Sequence, residues 1–220
     1  SLAEGCNVAA AHVDAPRLDL KQLPLYEDSE FAYFKTHYYG GIKKYQWVAI
    51  PLELHGVVTL KSGENVEVVI GRGKDDPQFV ITDLLPHLAA DQMSRKAPEI
   101  IKGEGLNLLI GSAPYADEGS ERVKLAVLSL LDEQYGISEE DFLSAELEVV
   151  PGFDVRDLGL DRSLIGGYGH DDRVCAYAEL KAIYDIENPE TTAVCILADK
   201  EEIGSEGTSG MQSQAFECFM

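Results

Sequence analysis

The stretch TAVCILADKEEIGSEGTSG, residues 192–210, decides the fold. It begins with six apolar residues, 193–198, and such an uninterrupted run is typical of a strand buried on both faces in a parallel sheet. The run stops at Asp199, and a Gly- and Ser-rich turn follows Glu202. Because ligands of open α/β sheets bind outside the carboxyl ends of the strands, Glu201 and Glu202 are candidate site residues.

A second segment near the start of the chain has the same layout. Residues 8–11 form a short apolar run that leads into HVDAP, residues 12–16, and Pro16 ends the strand because it has no N–H to donate. Residues i and i+2 share one face of a strand, so Asp14 can orient the imidazole of His12. A single His in this position is more often structural than a ligand. The segment therefore indicates a functional site only in combination with other motifs.

The third segment is GHDDR, residues 169–173, which leads into an apolar-faced helix over 174–186. Either Asp171 or Asp172 alone is ordinary at a helix start. Three polar clusters at the edges of one α/β domain are harder to explain without cations, because buried carboxylates need compensation. Imidazole and carboxylates without clustered thiolates suit Zn²⁺, with Mn²⁺ or Co²⁺ as alternatives.

Residues 40–150 have a different pattern. Short β-branched segments at 47–54, 57–60 and 66–70 predict strands, and turn residues separate them. Helices are predicted over 82–91 and 118–134, and a further strand over 145–150. We therefore expect an inserted α+β unit of mixed strands, residues 40–150, within a host α/β domain formed by residues 1–39 and 151–220.

Composition narrows the class of partner. The 220 residues are 45% apolar and 26% charged, as in ordinary globular proteins. Their 39 acidic against 18 Lys and Arg residues give a net charge of −21, which argues against nucleic acid and anionic membrane as partners.

Cysteine usage and the chain ends carry two further expectations. Cys175 and Cys195 lie in apolar segments and are predicted to be buried free thiols, which favours a reducing cytoplasm. We expect no signal peptide, and no apolar run within these 220 residues reaches the roughly 20 residues that span a bilayer. The chain opens without Met and closes inside a helical pattern at 214–220, so we expect a piece of a longer protein lacking N- and C-terminal parts.

The three motifs, in this order and with this spacing, resemble the aspartyl aminopeptidase family of dinuclear-zinc exopeptidases. Residues 39–41, YGG, and an insertion after the first motif fit the same family. The resemblance implies an α/β/α zinc-exopeptidase domain, an inserted dimerisation domain, peptide substrates with N-terminal Asp or Glu, and a dimer-based homo-oligomer, often a dodecamer. A related tetrahedral aminopeptidase family shares two of the motifs and is the alternative. A non-catalytic assembly or metal-buffering module is the alternative from another class.

Site roles follow from the resemblance residue by residue. His12 and Glu202 would each bind one metal ion, Asp171 would bridge the two, Asp14 would orient the imidazole, and Glu201 would be the general base. His87 matches the insert segment from which family members reach a histidine into a neighbouring active site. The family also uses a downstream Asp and His that have no counterpart here, so the isolated chain is predicted to bind metal poorly and to be inactive.

Overall fold

The computed structural model describes residues 4–115 and 118–219. Its strands, in chain order, are β1 (Cys6–His12), β2 (Arg17–Asp28), β3 (Phe31–Tyr39), β4 (Leu52–Thr59), β5 (Asn65–Ile70), β6 (Leu108–Gly111), β7 (Ala145–Pro151), β8 (Arg156–Leu158), β9 (Leu164–Gly166) and β10 (Thr192–Ala198). Its α-helices are α1 (Ala90–Met93), α2 (Ala97–Ile100), α3 (Arg122–Tyr135), α4 (His170–Asp185) and α5 (Gln214–Phe219).

The chain divides into two compact units. The first comprises the chain up to Pro16 together with the chain from Val155 onward, and the second is the continuous segment Arg17–Asp154. An insertion between two host segments was predicted, but its first boundary lies earlier than residue 40. Residues 17–39 belong to the second unit because they form β2 and β3 of its sheet.

The second unit is built on a six-stranded sheet with the order β5-β4-β7-β2-β3-β6. Each described pairing in it is antiparallel, so the predicted mixture of strand directions is not found there. Helix α3 packs on β2, β3 and β6 and buries Val123, Val127 and Leu131 at i, i+4 and i+8. It ends before Gly136, whose left-handed backbone lets its N–H donate back to the last turn.

Two local predictions for this unit are wrong. Residues 47–50 precede β4 as bends and residue 51 is irregular, so the strand does not begin at 47. A helix over 82–91 does not form, and only the short α1 begins at Ala90. Pro86 explains the second difference, because its ring and missing N–H break a helix and disfavour helical backbone at the residue before it.

The first unit contains a parallel strand pair. β1 and β10 run in register from Cys6 opposite Thr192 to His12 opposite Ala198, and α4 packs on both strands. The parallel α/β arrangement is thus confirmed. Burial of β10 on both faces is not confirmed, because Leu197 in β10 is 45% exposed although α4 packs on the strand pair.

The remaining strands and α-helix described in this unit are a short hairpin of β8 and β9 and the helix α5. Cys175 in α4 is exposed and Cys195 in β10 is half-buried, so the prediction of two buried thiols is wrong. No helix within the described ranges has both the length and the apolar character needed to cross a membrane.

Candidate metal centre

The candidate site lies where β1 and β10 end. His12 and Ala198 are partners at the last position of the ladder, and the N–H of Val13 donates to the carbonyl of Ala198 at 2.9 Å. The chain then leaves β10 through Lys200, in left-handed conformation, into a single 3-10 turn, Glu201–Ile203. The carboxyl ends of two parallel strands therefore bring the first and last motifs to one edge, as predicted.

Two overlapping clusters of metal-ligating groups meet at His12. In one, ligand atoms of His12, Asp171 and Asp172 lie within 4.8 Å of one another; in the other, those of His12, Glu201 and Glu202 do. The four predicted residues His12, Asp171, Glu201 and Glu202 therefore occupy one locality although they come from three distant parts of the chain.

The imidazole of His12 is fixed by a backbone group. Its Nδ1 lies 3.0 Å from the carbonyl oxygen of Asp14, and because a carbonyl can only accept, Nδ1 carries the proton and donates. This tautomer leaves Nε2 with a free lone pair for a metal ion. Burial alone would lower the pKa of His12, but this hydrogen bond and the carboxylates of Glu201, Asp14 and Asp172 raise it above its ordinary value.

Asp14 contacts the imidazole differently from the prediction. Its carboxylate Oδ1 is 3.5 Å from Nδ1 of His12, beyond the carbonyl oxygen of the same residue. The carboxylate instead accepts hydrogen bonds from the backbone N–H groups of Glu201 and Glu202, each at 3.2 Å. Residue Asp14 was identified from the sequence, but these two backbone contacts were not.

Asp172 is a residue of the site for which the sequence pattern predicts no role. It is 3% exposed, its Oδ1 has no hydrogen-bond partner among the described residues, and that oxygen is 3.9 Å from Nδ1 of His12. Burial, aided by the carboxylates of Glu202 and Asp171, raises the pKa of Asp172 to about 6 although His12 and Arg173 oppose the change. The burial of Asp172 could not be predicted from its position, because acidic residues are common at the start of a helix.

The donor set fits divalent cations. A buried carboxylate oxygen without a partner is costly, and a cation beside it would remove the cost. One imidazole with several carboxylates and no thiolate is a combination that Zn²⁺ accepts.

The structure does not bring His87 into either cluster. His87 is exposed on a turn at residues 86–88 of the second unit. A role in a neighbouring subunit therefore stays a prediction.

A family model and curated proteins match nearly the whole chain. The family described as "Aminopeptidase I zinc metalloprotease (M18)" matches residues 1–220. A Clostridium acetobutylicum protein named "Probable M18 family aminopeptidase 1" is 53% identical over 214 residues, which are 97% of this chain and 46% of that protein. The chain thus spans about half the length of the curated relatives it matches.

Solved structures share the fold. The crystal structure of an M18 family aminopeptidase from Thermotoga maritima superposes with a TM-score of 0.92 at 52% identity, over 98% of this chain and 47% of that one. A structure described as the S. cerevisiae mApe1 dodecamer has a TM-score of 0.68 at 20% identity, over 98% and 48% of the two chains, and shows the fold alone. The chain therefore belongs to the M18 family of aminopeptidase I zinc metalloproteases.

Proposed function

We propose that the protein containing this chain is a zinc-dependent aminopeptidase with a dinuclear metal site at the carboxyl ends of β1 and β10. One observation carries the proposal: His12 and four carboxylates from distant segments place their ligand atoms within 4.8 Å in two clusters that share His12. Family membership and the buried, unpartnered oxygen of Asp172 support it.

Each residue has a role that its chemistry allows. His12 would hold one ion through Nε2, Glu202 would hold the other, and Asp171 would be a ligand of both. Bound divalent ions would supply Lewis-acid chemistry, which would acidify a water molecule and polarise the carbonyl of the substrate. Glu201 would be the general base that accepts a proton from the attacking water and returns it to the leaving amine, a task that requires a carboxylate not occupied as a ligand.

The substrate class we propose is peptides with a free N-terminus, with Asp or Glu as the residue removed. The acidic preference rests on the resemblance to aspartyl aminopeptidases. A panel of aminoacyl p-nitroanilides, with Asp, Glu, Leu and Lys derivatives, measures it directly. Faster turnover of Leu or Lys derivatives than of Asp and Glu derivatives would contradict the acidic preference and leave the aminopeptidase proposal intact.

We further propose that the protein forms a homo-oligomer built on dimers through the second unit. Leu84, Leu85 and Leu88 beside His87 are 54%, 66% and 71% exposed, which is unusual for a surface in contact with water. His87 would then reach the site of a neighbouring subunit. Replacing His87 by Ala should lower kcat and leave the metal content unchanged, whereas unchanged kcat would exclude this role.

Metal content of the full-length protein tests the main proposal. We expect two zinc ions per subunit by elemental analysis, and loss of at least one in Asp171→Asn and in Glu202→Gln. The matched control is Asp185→Asn at the other end of α4, where the carboxylate pairs with Lys181 on the exposed surface. A wild-type protein that binds no metal after zinc loading would support the non-catalytic module instead.

The proton-transfer role has its own test. Glu201→Gln should retain the metal content of the wild type and lose about 10²–10⁴-fold in kcat, the usual worth of a general base. Loss of metal in Glu201→Gln would show that Glu201 is a ligand and would overturn its assignment as the base.

A further inference from the structure

Asp14 contacts the start of the 3-10 turn Glu201–Ile203 with both carboxylate oxygens. Oδ1 accepts the N–H of Glu201 and Oδ2 accepts the N–H of Glu202, each at 3.2 Å. The Asp14 side chain is only 2% exposed, so water does not compete for these hydrogen bonds. Hydrogen bonds to an ionised acceptor are also stronger than those between neutral groups.

The residue at the cap position of the turn does not supply the acceptor. The first N–H groups of a helix lack partners within it and need an acceptor from outside. Lys200 stands at the cap position with a left-handed backbone, φ 65°, and makes no side-chain cap hydrogen bond. The acceptor comes instead from a residue 187 positions earlier in the chain.

We propose that Asp14 is a positioning residue for Glu201 and Glu202, which it holds through their backbone. His12 lies two residues before Asp14, so one carboxylate fixes the two glutamates relative to the imidazole. This role for Asp14 adds to the proposed function. It rests on that function for the part that Glu201 and Glu202 play at the metal site. Orientation of His12 falls to the carbonyl of Asp14, which is 0.5 Å closer to Nδ1 than the carboxylate is.

Hydrogen exchange of the metal-free, full-length protein tests the proposal without reference to activity. The variant Asp14→Asn keeps the shape of the side chain but turns one acceptor oxygen into an NH₂ group that faces a backbone N–H. We expect the amides of Glu201 and Glu202 to exchange about tenfold faster than in the wild type, since each loses a charge-assisted hydrogen bond or has it weakened. Fragmentation mass spectrometry resolves the segment 199–204.

The control variant is His12→Gln, which removes the imidazole and leaves the carboxylate of Asp14 in place. Exchange at Glu201 and Glu202 should stay within about twofold of the wild type in that variant. Asp14→Glu keeps the charge and both oxygens and should restore part of the protection, a rescue that a purely steric role for Asp14 would not give. Amides of β4 and β7 in the second unit report whether each variant is folded.

Three results would overturn the proposal. They are unchanged exchange at Glu201 and Glu202 in Asp14→Asn, equal acceleration in His12→Gln, and loss of protection throughout β1 and β10 in both Asp14 variants. In the last case Asp14 would hold the strand pair, not the turn. Failure of the full-length protein to bind zinc would refute the proposed function and leave these exchange results unaffected.

Discussion

At the scale of single residues, Asp141 shows how one buried carboxylate joins two loops. It is 6% exposed and accepts the hydroxyl and the N–H of Ser138 at 2.6 and 2.8 Å, together with the N–H of Lys61 at 2.7 Å. The Ser138 hydroxyl and N–H, with the N–H and charge of Lys61, hold the pKa of Asp141 below its ordinary value of 3.8. A capping box is thus present at Ser138, and it begins a 3-10 helix, Glu139–Ser144.

Replacing Asp141 by Asn should destabilise the protein in a pH-dependent way. A carboxyl with a depressed folded pKa contributes stability above its unfolded pKa and loses it as the pH falls through the folded value. We therefore expect a loss of about 1–3 kcal/mol at pH 6 in urea unfolding, shrinking below pH 3.8. Asp75→Asn on the surface is the control and should change stability by less than about 0.5 kcal/mol. If Asp141→Asn lost the same free energy of unfolding at pH 6 and below pH 3.8, the stabilising role of the ionised carboxylate would be contradicted.

The candidate site itself was largely predictable at this scale, and the exceptions have a common cause. His12, Asp171, Glu201 and Glu202 could be found because strand ends and helix starts are visible as changes of pattern. The contacts of Asp14 with two backbone N–H groups could not, because they join residues 187 and 188 positions apart. The burial of Asp172 likewise depends on where the chain folds back, not on its neighbours in sequence.

At the scale of elements, β4 contains a glycine that its partner strand requires. Gly56 has φ +143°, and a Cβ added there would lie 1.9 Å from the backbone oxygen of Glu146 in β7. Neither strand can move away without breaking the register in which Gly56 stands opposite Leu147. Overlap with backbone and an unfavourable φ therefore act together.

Gly56→Ala should destabilise the second unit by at least about 3 kcal/mol in urea unfolding. Gly63→Ala is the matched control, because Gly63 also has a positive φ, +88°, but nothing lies within 4 Å of its added Cβ. Gly63→Ala should destabilise the protein only by the strain of placing a Cβ at positive φ, roughly 1–2 kcal/mol. Equal costs for the two variants would show that the close approach of β7 is not the cause.

Elements with a regular period were predicted better than irregular ones. α3 buries apolar residues at one helical spacing, the apolar residues of β7 alternate over Ala145–Val149, and β10 contains an uninterrupted apolar run. β2 does not keep one alternation: a register shift between Leu20 and Leu25, with Leu23 at φ 48°, moves its apolar side chains from one alternation to the other. This bulge explains why β2 was not predicted and why the boundary of the inserted unit was placed too late.

At the scale of the whole chain, core and site are separated between the two units. Every member of the main cluster of buried apolar residues lies between Leu18 and Val149, within the second unit. Both clusters of metal-ligating groups belong to the first. Folding of the second unit and metal binding by the first therefore draw on different residues.

The segment 17–154 should consequently fold by itself. It is continuous in sequence, and its ends are tied together: Arg17 donates to Glu148 at 2.9 Å and to Asp19 at 2.8 Å, and its guanidinium lies 3.8 Å above the ring of Tyr39. We expect a cooperative urea transition for the excised segment, with a midpoint that neither zinc nor a chelator shifts, because no predicted ligand lies within it.

The matched comparison is Arg17→Ala in the same segment. The cut places Arg17 at the first residue of the segment. Loss of its buried guanidinium would remove its ion pairs with Asp19 and Glu148, so the midpoint should fall while the transition stays cooperative. A segment 17–154 that shows no cooperative transition would mean that its core depends on the first unit. A zinc-dependent midpoint would place a metal site outside the residues proposed above.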